Sequence, residues 1–293
     1  MQVFLNNAWL PIEEAKVSVL DRGFVFGDGI YEVIPVYEGR PFRLMAHLKR
    51  LFRSLREIRL TNPYTLDNWQ AMIKQLIERN GNQNLSIYIQ VTRGVAPRDH
   101  TFPETTPTVL AMANALSETP RAVLEEGVKA ILLEDIRWLR CDIKSISLLA
   151  NVLLRQKAAE EGAKEAILIR DGFLTEGAAS SVFIVKNGTV FSPPFAPTLL
   201  PGVTAALIAS LARQYAIPLI FRPIAEHEVQ QADEVLLISS IREILPVTIL
   251  DQDKVGSGKP GPLFWQIYDL YQGAKKLSDE ALDVFFQDFL NHA

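Results

Sequence analysis

A lysine stands in an apolar stretch of the sequence, where a primary amine could act as a nucleophile. Lys144 lies between Ile143 and Ile146 in the segment RCDIKSISLLA, residues 140–150. Burial in apolar surroundings disfavours the charged ammonium, and the neutral amine can then attack a carbonyl carbon and form a Schiff base. The alternative is a lysine at a strand end whose amine extends to solvent. The segment by itself leaves both interpretations open.

Further segments offer groups that could hold a basic ring and a phosphate. Glu176, in LTEGAASSVF, is predicted at a turn between two strands, where its carboxylate could face a pyridine nitrogen. LLPGVT opens a predicted helix whose first residues, Val203 and Thr204, offer backbone N–H groups and a hydroxyl to a phosphate. Ser240 follows the apolar strand EVLLI with another hydroxyl. An ordinary turn and an ordinary helix start are the alternatives.

Arginines with helical and extended spacing suggest anion binding. Arg50 falls on one helix face with Arg43 and His47, and an arginine there could point inward to an anion, the alternative being a solvated face. Arg98 and His100 lie in the loop RGVAPRDHTFPE, and alternation in an extended chain puts both on one side. Arginine binds carboxylates through two parallel hydrogen bonds, so this loop could receive a carboxylate ligand.

Composition limits the class of protein. The chain has 293 residues, 48% of them hydrophobic, which indicates two domains. The net charge of −4 argues against a nucleic-acid partner. A single cysteine, Cys141, excludes an intramolecular disulfide and a cysteine metal cluster, and no metal site is predicted. The start MQVFLNNAW lacks a basic segment followed by an apolar run, and no apolar run is long enough to span a bilayer, so a cytoplasmic protein without a membrane partner is expected.

The elements that must position these groups alternate between strand and helix signals, as in an α+β protein. We predict an N-terminal domain over 1–115, a linker over 116–121 and a C-terminal domain over 122–293. Apolar residues at helical spacing predict helices over 44–57 and 65–80. Hairpins are predicted at the turn dipeptides Asn6-Asn7, Asp171-Gly172 and Asn187-Gly188.

In their order along the chain, a set of segments resembles the fold-type IV pyridoxal-phosphate (PLP) enzymes. This family includes D-amino acid transaminases, branched-chain transaminases and aminodeoxychorismate lyases. The resemblance runs nearly from end to end. It implies a two-domain protein with a smaller α/β N-terminal domain and a larger C-terminal domain built on a β-barrel-like mixed sheet. The segments are DRGFVFGDGIYE (21–32), RCDIKSISLLAN (140–151), LTEGAASSVF (174–183), LLPGVT (199–204) and ISSIREILPV (238–247).

The resemblance also implies roles for single residues. Lys144 would carry PLP as a Schiff base and transfer a proton during catalysis, and Glu176 would pair with the pyridine nitrogen. The residues implied to hold the phosphate are Arg50, Val203, Thr204 and Ser240. The sequence departs from the family pattern at Ala178-Ala179, Ser181 and Ala205, which affects the hydrogen bonds expected around the cofactor.

The choice within the family rests on the substrate carboxylate. Tyr31, Arg98 and His100 match the carboxylate-binding residues of D-amino acid transaminases, in which the arginine and histidine come from the neighbouring subunit of a homodimer. We therefore expect ping-pong transfer between a D-amino acid of the D-alanine type and a 2-oxo acid such as 2-oxoglutarate. Arg242, close after Ser240, is hypothesised to pair with a side-chain carboxylate of the substrate, the alternative being a surface arginine.

Other functions stay open at this point. An aminodeoxychorismate lyase and a branched-chain L-amino acid transaminase would use the same cofactor in the same fold. A noncatalytic cofactor carrier or scaffold would need Lys144 to be inert.

Overall fold

The computed structural model describes residues 1–81, 83–279 and 282. Its contacts divide the chain into two units. Unit 1 comprises Met1–Ser117 and Ile143–Leu148, and unit 2 comprises Glu118–Asp142 and Leu149–Ala293. The sequence analysis assigns Ile143–Leu148 to the C-terminal domain, whereas these residues cluster with unit 1. The end of the predicted C-terminal domain, after 279 and apart from 282, lies outside the described residues.

Unit 1 is an antiparallel sheet with two amphipathic helices. The sheet has six strands in the order β2-β1-β6-β5-β3-β4, and every neighbouring pair is antiparallel. Its elements are β1 (Gln2–Leu5), β2 (Ala8–Pro11), a 3-10 turn (Ile12–Glu14), α1 (Arg22–Phe26), β3 (Gly29–Tyr37), β4 (Arg40–Pro41), α2 (Leu44–Glu57), α3 (Leu66–Arg79), β5 (Leu85–Thr92) and β6 (Thr108–Ala115).

The core of unit 1 forms where α2 and α3 bury their apolar faces with the sheet. Leu48 and Leu51 of α2 and Trp69 of α3 are fully buried in one cluster with Ile34 and Ile87 of the central strands. Burying each such side chain stabilises the fold by about 1.5–3 kcal/mol. The predicted helices over 44–57 and 65–80 are confirmed, and the Thr65 hydroxyl caps α3 by accepting from the Asn68 N–H at 3.2 Å.

The segment Ile143–Leu148 lies along β3, which explains its place in unit 1. The Tyr31 N–H donates to the Lys144 carbonyl at 2.9 Å, and the Ile146 N–H donates to the Gly29 carbonyl at 3.1 Å. Ser145 forms an isolated antiparallel bridge with Ile30. Sequence periodicity over 140–150 carries no information about this pairing, because the partner strand is more than a hundred residues away along the chain.

Unit 2 is built on a nine-stranded mixed sheet. The strand order is β12-β11-β10-β13-β14-β7-β8-β9, with β15 beside β14. Pairs β11–β12, β14–β7 and β7–β8 are parallel, and the other pairs are antiparallel. Its elements are α4 (Arg121–Glu126), β7 (Val128–Glu134), α5 (Leu149–Glu160), β8 (Glu165–Arg170), β9 (Phe173–Gly177), β10 (Ser181–Lys186), β11 (Thr189–Ser192), α6 (Val203–Gln214), β12 (Leu219–Phe221), α7 (Glu226–Gln230), β13 (Glu234–Ser239), β14 (Glu243–Leu250), β15 (Asp253–Lys254) and α8 (Pro262–Ala274).

The sheet of unit 2 must curl, because two strands that are distant in the sheet are joined by a short link. β9 ends at Gly177 and β10 begins at Ser181, whereas β13, β14, β7 and β8 lie between them in the sheet. In a flat sheet those strands would be about 24 Å apart, and the link spans at most about 15 Å. The sheet therefore bends into a half-barrel, in agreement with the predicted barrel-like mixed sheet.

The predicted hairpin turns are confirmed in both units. The pairs Asn6-Asn7, Asp171-Gly172 and Asn187-Gly188 all have positive φ at both residues, as a type I′ turn requires. No helix in the described part of the chain is both long enough and apolar enough to cross a bilayer.

Candidate active site

Lys144 presents its amine to an aromatic ring of the strand beside it. Its Nζ lies 4.1 Å from the centre of the Tyr31 ring, a favourable distance for a cation over an aromatic face. The Lys144 backbone is held by β3 and by the Ser54 hydroxyl, which accepts from its N–H at 3.3 Å. The side chain is half-buried, so the amine is neither enclosed in apolar core nor extended freely into solvent. An amine in this position is fixed and still accessible to a ligand.

Arg50 is held by a buried carboxylate on β3. The guanidinium donates from Nε to Glu32 Oε1 at 2.6 Å and from a terminal nitrogen to Glu32 Oε2 at 3.0 Å. His47 lies one turn earlier on α2, and its Nδ1 is 2.9 Å from Glu32 Oε2. Since an ionised carboxylate only accepts hydrogen bonds, Nδ1 carries the proton. Arg50 is therefore buried and points inward from α2, where Glu32 orients it, and the bound anion expected beside it stays a prediction.

The charges of this cluster depend on one another. Burial raises the pKa of the Glu32 carboxyl, but the charge of Arg50 and the hydrogen bond from His47 outweigh burial and hold the pKa well below its usual range. Burial lowers the pKa of His47, and the charges of Arg50 and Lys144 act in the same direction against the opposing effect of Glu32. At neutral pH the cluster is thus an arginine–carboxylate ion pair with a neutral imidazole.

Glu32→Gln is expected to destabilise the protein by about 3–5 kcal/mol, because it leaves the Arg50 cation buried without its counter-charge. Because folding lowers the pKa of Glu32, its stabilising effect is complete above the ordinary value of 4.5 and is lost as the pH falls below that value. Urea unfolding at pH 7 and pH 4 measures both effects. Glu78→Gln, which alters a half-exposed glutamate paired with Lys74 on α3, is the control and should change stability by less than about 0.5 kcal/mol. Equal stability of the two variants would contradict the prediction.

The structure brings Arg98 and His100 to the same side of their loop. The Arg98 guanidinium lies 5.2 Å from the centre of the Phe26 ring, and the His100 ring centre lies 5.2 Å from the same ring. Both side chains are exposed in the described chain. Arg98 and His100 thus lie on one side of the loop, as alternation predicts, and both contact the ring of Phe26 in α1.

Glu176 lies in a strand rather than at the predicted turn. Thr175, Glu176 and Gly177 end β9, and the turn to β10 follows at 178–180. The difference arises because β9 continues its pairing with β8 as far as Gly177, through a register irregularity that the sequence does not reveal. The carboxylate is buried. It accepts hydrogen bonds from the Arg137 guanidinium and, at 3.2 Å, from the Leu200 N–H.

Arg137 connects Glu176 to a second buried acid. Its Nε and a terminal nitrogen each donate to Asp135 at 2.8 Å. The Thr175 hydroxyl donates to Asp135 at 2.8 Å, and Arg170 forms an ion pair with Asp135 at 3.1 Å. Burial raises the pKa of Glu176 and Asp135 adds to the rise, while the charge and hydrogen bond of Arg137 lower it, and the net direction is upward. Arg137 is thus the main group that favours the ionised form of Glu176.

A pair of hydroxyls lies at the start of α6. Thr204 Oγ1 is 3.5 Å from Ser240 Oγ, and Ser240 directly follows the end of β13. Gly202 is the N-cap, and a Cβ there would come within 2.6 Å of Ser181 Oγ, so only glycine permits this close approach. The free N–H groups of Val203 and Thr204 and the two hydroxyls form a set of donors suited to a phosphate.

Arg242 turns toward the start of β8. Its guanidinium donates to the Lys164 carbonyl at 3.5 Å, and its N–H donates to Ser239 Oγ at 3.3 Å. Burial lowers the pKa of the Arg242 guanidinium, the nearby Arg155 adds to this effect, and Glu165 opposes it. Arg242, two residues after Ser240, is therefore a half-buried cation, and its guanidinium makes one long hydrogen bond.

The sequence analysis did not find Glu32 and Arg137. A signal existed for each, since Glu32 interrupts the apolar run of β3 and Arg137 follows a buried strand two residues after Asp135. These signals are not sufficient, because a charged residue takes part in a site only through its partner. The partners of Glu32, His47 and Arg50, lie 15 or more residues away, and Glu176 lies 39 residues from Arg137. Among the described residues, no three His, Cys, Asp or Glu side chains gather in a way that could hold a metal ion.

Each of the groups described above has a chemistry of its own. An amine can bind an aldehyde, a buried carboxylate can pair with a protonated ring nitrogen, and a helix start with hydroxyls can bind phosphate. Nothing in this set conflicts with a phosphorylated pyridine aldehyde as the ligand.

Comparison with known proteins agrees with this chemistry. Residues 29–250 match the family described as Amino-transferase class IV. The chain is 42% identical over 270 residues to the D-alanine aminotransferase of Staphylococcus haemolyticus, covering 92% of this chain and 95% of that protein. It is 39% identical to the D-alanine aminotransferase of Bacillus licheniformis, covering 90% and 93%.

Solved structures show the same fold. The branched-chain amino acid aminotransferase of Escherichia coli superposes with a TM-score of 0.88 at 26% identity, covering 93% of each chain. A branched-chain amino acid aminotransferase from T.th., solved with pyridoxamine 5'-phosphate, has a TM-score of 0.89 at 24% identity over 94% of this chain and 93% of that chain. The fold, the donor set and the match over most of the sequence lead to one conclusion: the chain belongs to the class IV aminotransferases.

Proposed function

We propose that this protein is a PLP-dependent D-amino acid transaminase that moves the amino group of D-alanine to a 2-oxo acid such as 2-oxoglutarate. The observation that carries this conclusion is 39–42% identity to D-alanine aminotransferases over 90–94% of the chain. The likeness to branched-chain enzymes is at 24–26% identity, and it reflects the shared fold. The loop with Arg98 and His100 supports the D-amino acid assignment, since these residues match the carboxylate-binding residues that the resemblance implies for D-amino acid transaminases.

The roles of the residues follow from their chemistry. PLP, when bound, supplies an electron sink that stabilises negative charge at the substrate α-carbon. Lys144 would hold the aldehyde carbon of the cofactor and would then carry the proton that leaves the substrate α-carbon to the cofactor carbon C4′, a task that suits a fixed but accessible amine. The ionised form of Glu176, which Arg137 favours, would promote a proton on the pyridine nitrogen.

One group of donors is proposed to bind the phosphate of the cofactor, and a second group is proposed to bind the carboxylates of the substrate. The N–H groups of Val203 and Thr204 and the hydroxyls of Thr204 and Ser240 bind the phosphate, with the guanidinium of Arg50, which Glu32 orients, as a further ligand. The proposed ligands of the substrate α-carboxylate are Tyr31, Arg98 and His100. Arg242 is proposed to pair with the side-chain carboxylate of an acidic substrate, supported by its half-buried guanidinium with one long hydrogen bond.

A homodimer and a cytoplasmic location belong to the same proposal. Large apolar side chains are exposed next to the substrate loop and on α5, among them Phe24 (75% exposed), Val19 (73%) and Leu149 (73%). Such exposure is unusual for a monomer and supports burial of these surfaces against a second copy.

A half-reaction screen tests the proposed function. Single amino acids are added to the holoenzyme, and the loss of cofactor absorbance is followed without any acceptor. D-alanine is expected to react at least about 100-fold faster than L-alanine. The L-enantiomer cannot place its carboxylate at the carboxylate ligands and its α-hydrogen at Lys144 at the same time. Faster reaction with L-leucine than with any D-amino acid would instead indicate a branched-chain enzyme. Release of pyruvate from aminodeoxychorismate without an acceptor would indicate a lyase.

A further inference from the structure

We propose that Arg22 is a positioning residue for substrate recognition: together with Phe26 it holds the loop that carries Arg98 and His100 in the geometry that receives the substrate α-carboxylate. The inference rests on the proposed function, because it takes Arg98 and His100 as ligands of that carboxylate.

Arg22 reaches the loop at the peptide between these two residues. Its guanidinium donates to the carbonyl of Asp99, which stands between Arg98 and His100. Arg22 is 4% exposed, so packing sets the position of its guanidinium, whereas the acceptor Asp99 lies in the exposed part of the loop. Fixing the Asp99 carbonyl fixes the orientation of the peptide that leads into His100.

The partly buried carboxylate of Asp28 fixes Arg22 in turn. Asp28 Oδ2 accepts from Arg22 Nε at 2.8 Å and from Arg93 Nε at 2.8 Å. Arg93 also donates to Asp28 Oδ1 at 3.0 Å and to the Ile58 carbonyl at 2.8 Å. One carboxylate thus orients two guanidinium groups whose long side chains would otherwise be mobile.

Phe26 is the second contact through which Arg22 acts. The Arg22 guanidinium lies 4.8 Å from the centre of the Phe26 ring, and the Arg98 guanidinium lies 5.2 Å from it. The His100 ring is 5.2 Å from the same ring. The Phe26 ring is therefore a shared contact of the buried Arg22 and of the exposed Arg98 and His100.

The loop has another attachment that does not involve Arg22. The Arg93 guanidinium lies 3.8 Å from the centre of the Phe102 ring, and the Thr105 hydroxyl donates to the Val95 carbonyl at 2.9 Å. Removing the Arg22 guanidinium should therefore leave the loop folded on unit 1 but increase the mobility of residues Arg98 to His100. A loss of carboxylate affinity, rather than a loss of folding or of proton transfer, is the expected result.

The test compares Arg22→Met and Arg22→Lys with the parent holoenzyme. For Arg22→Met, the KM values for D-alanine and 2-oxoglutarate should rise about tenfold or more, as displaced binding groups predict. Its kcat should stay within about threefold of the parent, since the proposed role is in binding. Calorimetry with propionate, a carboxylate without an amino group, should show weaker binding by the same factor as KM. Arg22→Lys should retain part of the affinity, because it keeps the positive charge but lacks the planar guanidinium that donates to both Asp28 and the Asp99 carbonyl.

Controls separate this inference from the proposed function. Arg79→Met removes an arginine of the same unit whose guanidinium lies over the Trp9 ring, and it should change neither KM nor propionate binding. Unchanged propionate affinity and KM in folded Arg22→Met would overturn the inference, as would a fall in kcat with KM unchanged. If Arg22→Met does not fold, Arg22→Lys and Phe26→Leu decide by the same measurements. Absence of D-alanine activity in the parent would refute the proposed function, whereas the ratio of variant to parent propionate affinity tests Arg22 independently.

Discussion

Replacing Lys144 by alanine is expected to lower kcat for D-alanine transamination by at least about 1000-fold, the upper range of what a positioned acid–base group contributes. The reason lies in the two tasks proposed for one amine: it would bind the cofactor aldehyde covalently, and it would transfer the α-proton. The Lys144 Nζ is fixed over the Tyr31 ring at 4.1 Å, so no flexible neighbour can readily replace it.

The measurement combines kinetics with peptide mapping. Reduction of the holoenzyme with borohydride and digestion should place the pyridoxyl mass on the peptide that contains Lys144. Lys144→Arg should be as inactive as Lys144→Ala, since arginine keeps the cation but stays protonated and cannot form the bond. Lys129→Ala, which removes an exposed amine bonded to the Glu161 carbonyl, should retain parent activity. A label on another lysine, or turnover in Lys144→Ala near that of the parent, would refute both the role and the function built on it.

The local structure of this protein was largely predictable because local sequence determines it. Asn187-Gly188 and Asp171-Gly172 adopt positive φ at low cost, and they therefore specify hairpins without reference to the rest of the chain. The apolar spacing of α2 predicted both its limits and the face that is buried. The positions of the candidate residues Arg50, on α2, and Thr204, at the start of α6, were predictable for the same reason, and their roles stay predictions.

What the sequence could not predict is the partnership between distant segments. The Arg22–Asp99 contact joins residues 77 apart, and Arg137 meets Glu176 across 39 residues. The segment around Lys144 lies on β3 through backbone hydrogen bonds that any residue types could form, so its place in unit 1 left no trace in composition or periodicity. The strand position of Glu176 likewise depends on where pairing with β8 stops.

The partner of Glu176 matters because the ionisation of that carboxyl depends on it. Burial holds the pKa of Glu176 above its ordinary value of 4.5, and Arg137 is the first of the groups that act against burial. Removing Arg137 removes this opposing effect, so the pKa must rise further. A larger fraction of Glu176 would then be protonated at neutral pH, and a neutral carboxyl no longer favours a proton on the pyridine nitrogen. Arg137→Met should therefore resemble Glu176→Gln, although neither variant changes the reacting atoms.

Both Arg137→Met and Glu176→Gln are expected to lower kcat by about 100-fold, the loss typical of one electrostatic contact to a reacting system. The double variant should be no slower than the slower single one, because the two residues act as a unit. As the pH rises, the Glu176 carboxyl of Arg137→Met ionises, so its kcat should recover at high pH, whereas Glu176→Gln has no group to titrate and should show no such rise. Arg222→Met is the control, since Arg222 belongs to the same unit and pairs with Glu228 at 2.7 Å, and its kcat should stay close to that of the parent. A parent kcat and a flat pH profile in Arg137→Met would refute the prediction, because the ionisation of Glu176 would then not depend on Arg137. Recovery of kcat at high pH in Arg137→Met, and not in Glu176→Gln, would show that Arg137 acts through the charge of Glu176.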